Sequence, residues 1–386
     1  MIPYGKQEIT QQDIDAVVDV LKSDFLTQGP QVPLFEASIK KAVNADYALA
    51  LNSATSALHI ACLALGVGRG DVVWTTPITF VASANCALYC GAGIDFVDIN
   101  SETYNLCADK LEQKLIHAKA NNLQLPKVVI PVHLCGQPCE MDKIHKLGEE
   151  YSFSIIEDAS HAIGGRYKNK PIGHCEYSDI TIFSFHPVKI VTTAEGGVAT
   201  TNNAALAQKM DLLRSHGITR DTALMTESNH GGWYYEQVDL GFNYRMTEMQ
   251  AALGVSQMSR LHDFVATRNA LAANYDQLLK NLPLITPKQS DDSYSGRHLY
   301  VIRLKLNEIA LSHKEIFEQL RLKDIGVNLH YIPVHTQPYY KKLGFVSGQF
   351  IESEKYYTEA ISIPLFHTMT QEQQDKVVAV LTEVLN

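Results

Sequence analysis

The 386-residue chain has no excess of positive charge: 33 Lys and Arg stand against 42 Asp and Glu, a formal net charge of −9. Nothing here forms a basic field that would draw in nucleic acid. Apolar runs break well short of the roughly 20 residues of a membrane helix, and the opening MIPYGKQEIT lacks the apolar core of a secretion signal. The seven cysteines are odd in number and scattered. Cys135 and Cys139 have no second ligand pair beside them, so no metal is expected and the thiols read as buried side chains in a reducing cytoplasm. Also absent are G-x-x-x-x-G-K-[ST], H-E-x-x-H and G-x-S-x-G. GVGRGD, from Gly66, follows a helical pattern rather than a strand and reads as a loop. These absences suggest a cytoplasmic globular protein that binds neither nucleic acid nor membrane.

Length and a 46% hydrophobic content allow a large core and two packed domains. Thr10 to Lys22 has apolar residues at Ile14, Val17, Val18 and Leu21, the spacing of a helix. SALHIACLALG and FVASANCALYC also read as helices, as do 109–118 and 141–151. DVVWTT, GIDFVDI, KVVIPVHL, FSIIEDAS and DITIFSF are short, apolar and rich in β-branched residues, the composition of strands buried on both faces. Their alternation with helices predicts an α/β fold around a mostly parallel sheet over 1–246. From 247 to 386 the texture changes. One long amphipathic helix is expected to lead into a smaller α+β domain, with a strand at HLYVIRLKL and helices near 314–322 and 371–385.

Lys189 follows the strand-like FSF, where an ammonium is costly unless something uses it. A desolvated lysine can attack a carbonyl and form a Schiff base. Asp158 ends another buried strand, and a carboxylate there wants a cationic partner: a protonated pyridine nitrogen, an arginine, or a helix terminus. The run NSATSALHIACLALG puts small polar residues where a helix begins, so the amides of Ala54 and Thr55 could meet a phosphate. Ser53 alone explains that run equally well as an N-cap. Ser184 could add a hydroxyl to the same phosphate. Phe80 could stack on a ring or simply fill core.

Taken together, NSATSA from Asn52, EDASH from Glu157 and FSFHPVK from Phe183 with its AEGG tail resemble the DegT/DnrJ/EryC1 family of sugar aminotransferases. That resemblance spans essentially the whole chain, GFNYRMTEMQAALG from Gly241 included. It implies fold type I and pyridoxal 5′-phosphate, with pyridoxamine phosphate as the intermediate form. It further implies that Lys189 is the Schiff-base lysine, that Asp158 holds the pyridine nitrogen, and that Ala54, Thr55 and Ser184 bind phosphate. Phe80 and His161 would flank the ring and its phenolic oxygen. Asn243 would reach the cofactor phosphate of a neighbouring subunit, so a homodimer with shared sites is expected.

Five further stretches resemble the branch that aminates C4 of UDP-linked 4-keto-6-deoxy sugars, with L-glutamate as donor: SDFLTQGP, TTPITFVASANC, VKIVTTAEGG, LLRSHGITRD and HYIPVHTQPYY. By that likeness the sugar would meet Tyr4, the loop of Asp24, Phe25, Leu26 and Thr27, and the segment Asn328, Leu329, His330 and Tyr331. Arg245 suits a glutamate carboxylate, or a structural ion pair. Another nucleotide-linked keto sugar is the competing substrate. A non-catalytic cofactor-binding regulator is the competing role, against which the retained Lys189, Asp158 and Ser184 weigh.

Overall fold

A computed structural model describes residues 1–227 and 230–385. The apolar runs assemble into one seven-stranded sheet. Its strands are β1 (Tyr47–Leu51), β2 (Val72–Thr75), β3 (Gly93–Phe96), β4 (Val128–Ile130), β5 (Ser154–Asp158), β6 (Ile180–Ser184) and β7 (Gly197–Thr201). They lie in the order β1-β7-β6-β5-β4-β2-β3. Only β7 runs against its neighbours, and the other pairs are parallel. The mostly parallel sheet is therefore as expected, although several strands are shorter than their apolar runs.

Both faces of the sheet are covered, which is why its strands are apolar throughout. Along β6, Phe183 enters one core cluster with Phe35, Ile39 and Val198, while Ile180 and Ile182 enter another with Leu58, Ile60 and Val73. This is the two-residue alternation of a strand acting on a sheet with two buried sides. Each such fully buried side chain contributes about 1.5–3 kcal/mol. Helix α1 (Gln11–Leu21) packs on a helix from later in the chain, and the covering helices include α2 (Gln31–Val43), α3 (Ala54–Ala64), α4 (Ala82–Tyr89), α5 (Ala108–Ala120), α6 (Met141–Tyr151) and α7 (Ala204–Arg214). Polar residues start several of them: Thr10 closes a capping box with Asp13, and Ser53 and Asn203 cap α3 and α7. Sequence periodicity had not picked out α2 or α7.

The long helix expected after Met246 is divided into α8 (Glu248–Met258) and α9 (Leu261–Leu278). Ser259 turns its hydroxyl back to the Ser256 carbonyl at 2.7 Å, and Arg260 leaves helical geometry at φ −108°, ψ 4°. Arg260 is held there by Asp13 of α1, to which its guanidinium donates at 2.9 and 2.7 Å. A contact so distant in sequence cannot show in local periodicity.

Beyond α9 the strands Leu284–Ile285, Tyr300–Leu304 and Ala360–Ile363 form a three-stranded antiparallel sheet. Its core joins Tyr275, Ile302, Ile316, Leu320 and Val377. The helices foreseen near 314–322 and 371–385 are His313–Leu322 and Gln371–Leu385. Ile2 bridges to Ile325, so the first residues of the chain lie against this later part. That contact brings Tyr4 into position.

Candidate active site

Asp158 is the last residue of β5 and Ser184 the last of β6, so both stand at the carboxyl ends of adjacent parallel strands. Ligands of open α/β sheets bind there, because loops leave the sheet and helix N-termini arrive. A cavity of about 420 Å³ opens at this point. Ala54, Thr55, Asp158, Ser184 and Lys189 all line it. So do Phe80 and His161, and, from the later part of the chain and its N-terminus, His330, Tyr331 and Tyr4. The residues singled out for cofactor chemistry therefore converge, Asn243 excepted.

The remaining expected residues lie elsewhere. Asn243 is exposed and away from the cavity, its carbonyl accepting from the Asn52 side chain at 3.4 Å. Arg245 bridges to Leu51, also off the cavity wall, and its enclosed Nε has no hydrogen-bond partner. The loop Asp24 to Thr27 is exposed, with Leu26 and Thr27 tied to Glu248 and Thr247 at the start of α8. Asn328 pairs with Ser362, and neither it nor Leu329 lines the cavity.

Burial of the Lys189 amine draws it down to about 8, against the upward pull of Asp158 and Cys135. A substantial neutral fraction is then present near physiological pH. Asp158 is itself well supplied with donors. Its Oδ1 accepts from the Ser160 hydroxyl at 2.6 Å and the Ser160 amide at 3.1 Å, and its Oδ2 from the Ser83 hydroxyl at 2.6 Å. Three donors thus fix the orientation of the carboxylate.

His161 has a defined tautomer. The amide of Cys135 donates to its Nδ1 at 3.1 Å, so the ring proton sits on Nε2, which faces the Tyr331 hydroxyl at 3.2 Å. Burial, with Lys189 and His330 nearby, holds His161 well below the usual histidine range. His330 is pushed down to about 3 by burial and Lys189, and its Nδ1 meets Ser362 Oγ at 2.7 Å. Both rings are neutral.

The α3 N-terminus forms the other wall. Ser53 accepts from the Ser56 amide at 3.1 Å, whereas the amides of Ala54 and Thr55 lie in the first turn and have no acceptor within the helix. Gly197 of β7 backs onto them: a Cβ there would stand 2.5 Å from the Ala54 nitrogen. Strand and helix terminus pack as closely as glycine permits.

Several wall residues escaped the sequence reading. Ser83, with Thr79 behind it, supports Asp158, and Ser160 does so from the loop after β5. Glu195 and His186 line the rim, 3.9 Å apart. A serine in FVASAN resembles helix packing, and only its distance to Asp158 sets it apart.

Residues 7–382 match the DegT/DnrJ/EryC1/StrS aminotransferase family. The chain belongs to that family. It is 39% identical over 371 residues to the UDP-4-amino-4,6-dideoxy-N-acetyl-beta-L-altrosamine transaminase of Campylobacter jejuni, covering 96% of this chain and 93% of that one. Its fold overlays Helicobacter pylori PseC, an aminotransferase involved in the biosynthesis of pseudoaminic acid, with a TM-score of 0.91 at 30% identity, covering 100% and 99%. Spr1654 of Streptococcus pneumoniae in its PLP-form overlays with a TM-score of 0.88 at 29% identity, covering 100% of both chains. The fold is that of the type I pyridoxal-phosphate transferases, and the protein is a pyridoxal-phosphate-dependent sugar aminotransferase.

The cavity suits that cofactor. Free helix-terminal amides can meet a phosphate, a carboxylate rich in donors can face a ring nitrogen, and the lowered Lys189 amine can meet a carbonyl. Among the described residues, no helix is long and apolar enough to cross a membrane.

Proposed function

We propose that the enzyme moves an amino group from L-glutamate to C4 of UDP-2-acetamido-2,6-dideoxy-β-L-arabino-hexos-4-ulose. The product would be UDP-4-amino-4,6-dideoxy-N-acetyl-β-L-altrosamine. The convergence of Lys189, Asp158 and the α3 N-terminus on one cavity carries the transaminase chemistry. The likeness to the C. jejuni transaminase over nearly the whole chain supports this choice of sugar.

Bound pyridoxal phosphate supplies an electrophilic carbon for the amino group and a ring that takes up electron density. The chain's own groups do the rest. Lys189 anchors that carbon. With cofactor and glutamate bound, the Lys189 amine, which burial draws down to about 8, would be the group to take the proton from the donor Cα. In the second half-reaction it delivers a proton to C4 of the sugar. Asp158 would face the ring nitrogen and favour its protonated form, in which the ring can take up charge from Cα. The amides of Ala54 and Thr55 and the Ser184 hydroxyl would hold the phosphate, and Phe80 and His161 would lie against the ring.

Tyr4, His330 and Tyr331 are proposed to receive the sugar, since they line the same cavity and come from the N-terminus and the later part of the chain. We place Asn243, Arg245 and the 24–27 loop at a second subunit's site, with Asn243 on its phosphate and Arg245 on the donor carboxylate. The enclosed, unpartnered Nε of Arg245 favours that role over a structural ion pair. Exposed Phe25, Leu26, Trp233 and Leu240 would be covered in such a homodimer. We propose the division into 1–246 and 247–386; residues from Leu271 onward share a core of their own with Ile2, whereas Ala251, Met258, Phe264 and Val265 pack into the core of the large sheet. A cytoplasmic location fits substrates of this kind.

The test is to give holoenzyme and glutamate the two C5-epimeric UDP-4-keto-6-deoxy-HexNAc sugars and follow amination by mass spectrometry. Preference for the L-arabino sugar is expected. Preference for the D-xylo sugar would transfer the enzyme to bacillosamine-type synthesis and leave the role of Lys189 intact.

A further inference from the structure

Behind Asp158 lies a chain of buried hydroxyls whose direction can be deduced. Ser83, in the first turn of α4, is 2.6 Å from Asp158 Oδ2 and 3.3 Å from the Phe80 carbonyl. A serine hydroxyl has a single proton, and the shorter contact, to a charged acceptor, claims it. Thr79 Oγ1 lies 2.7 Å from Ser83 Oγ. With the Ser83 proton committed to Asp158, Thr79 must be the donor in that pair. The order is therefore Thr79 to Ser83 to Asp158. Thr79 and Ser83 are 2% and 0% exposed, although both border the cavity. Phe80 of the same short segment reaches the cavity.

We propose that Ser83, oriented by Thr79, is a positioning residue that aims Asp158 Oδ2 and keeps the proton of a bound pyridine on the ring rather than on the carboxylate. This rests on the reading of Lys189 and Asp158 as the cofactor's anchors. A donor to a carboxylate favours its charged form, and buried donors in series reinforce one another. Without Ser83 the shared proton moves towards Asp158. The ring loses positive charge, and the chromophore at Lys189 keeps its own proton to higher pH. Lys189, Tyr331 and Cys139 also act on or feel Asp158, and all stay in place in the variants below.

The experiment is a pH titration of the visible absorbance of reconstituted holoenzyme, without substrate. Ser83→Ala should move the midpoint up by about one unit, the size of one hydrogen bond to a charge. Thr79→Val preserves side-chain shape and should move it in the same direction by less, while Thr79→Ser should titrate like the parent. A parent whose band titrates identically in Ser83→Ala and Thr79→Val would overturn this inference alone. A parent with no such band, or one whose band survives Lys189→Ala, would overturn the cofactor reading and this inference together.

Discussion

The backbone amide of Cys135 points at Nδ1 of His161 from 3.1 Å and so decides which nitrogen of that ring carries a proton. Cys135 takes a left-handed conformation, φ 59°, in the short turn after β4, and it is this bend that aims its amide at the ring. Sequence identifies the histidine but not its tautomer. With Nδ1 occupied, His161 presents a donor from Nε2 towards Tyr331 and the cavity.

Nitrogen-15 spectra of histidine-labelled protein should show His161 neutral with the proton on Nε2 from pH 8 down to about pH 6, because burial holds it well below 6.5. A protonated ring in that range, or a proton on Nδ1, would contradict the assignment.

The lowered Lys189 also has a kinetic signature. Only the neutral amine attacks a carbonyl, and with a value of about 8 its neutral fraction falls about tenfold per pH unit below that point. Cofactor capture by apoenzyme should therefore rise with pH up to about 8 and then level off. A rate still climbing at pH 10 would mean an ordinary, solvated lysine.

Gly197 links the sheet to the α3 terminus, the proposed phosphate end of the cavity. Gly197→Ala places a methyl 2.5 Å from the Ala54 nitrogen and the Ser53 carbonyl carbon, and the α3 terminus must shift to admit it. Such overpacking costs about 1–3 kcal/mol. If half of that falls on the bound state, cofactor affinity drops roughly two- to tenfold, measurable by equilibrium titration. Unchanged affinity in a folded variant would separate this helix terminus from phosphate binding.

Asp13 joins α1 to α8 from a fully buried position, accepting from Ser256 at 2.6 Å, Gln257 at 2.9 Å and the Arg260 guanidinium. Burial pushes its carboxyl up, but Ser256, Thr10 and Arg260 together hold it below 3.8. A depressed carboxyl contributes stability that is present above its unfolded value and lost as pH falls through the folded one. Asp13→Asn should therefore cost about 2–3 kcal/mol at neutral pH in urea unfolding, with the gap to the parent closing below about pH 4. An equal gap at pH 3 and pH 7 would place the loss in packing rather than charge.

The sheet was legible because burial on both faces leaves unbroken apolar runs, and Asp158, Ser184 and Lys189 stood out as polar groups placed where such runs end. Ser83 and Thr79 were hidden for the opposite reason: small hydroxyls inside an apolar helix start look like packing, and their partner is 75 positions away from Ser83. The division between α8 and α9 depends on Asp13 in the same non-local way. Tyr4 reaches the cavity through the Ile2–Ile325 bridge, which no local pattern encodes. Asn243, Arg245 and the 24–27 loop do not line the cavity of a single chain, and the roles proposed for them rest on the proposed homodimer.

Borohydride reduction of the holoenzyme followed by peptide mass mapping asks directly which residue holds the cofactor. A phosphopyridoxyl group on Lys189, absent when glutamate is added before reduction, is the expected result. The same label on another lysine, or none on any, would contradict the assignment of this cavity as the transaminase site.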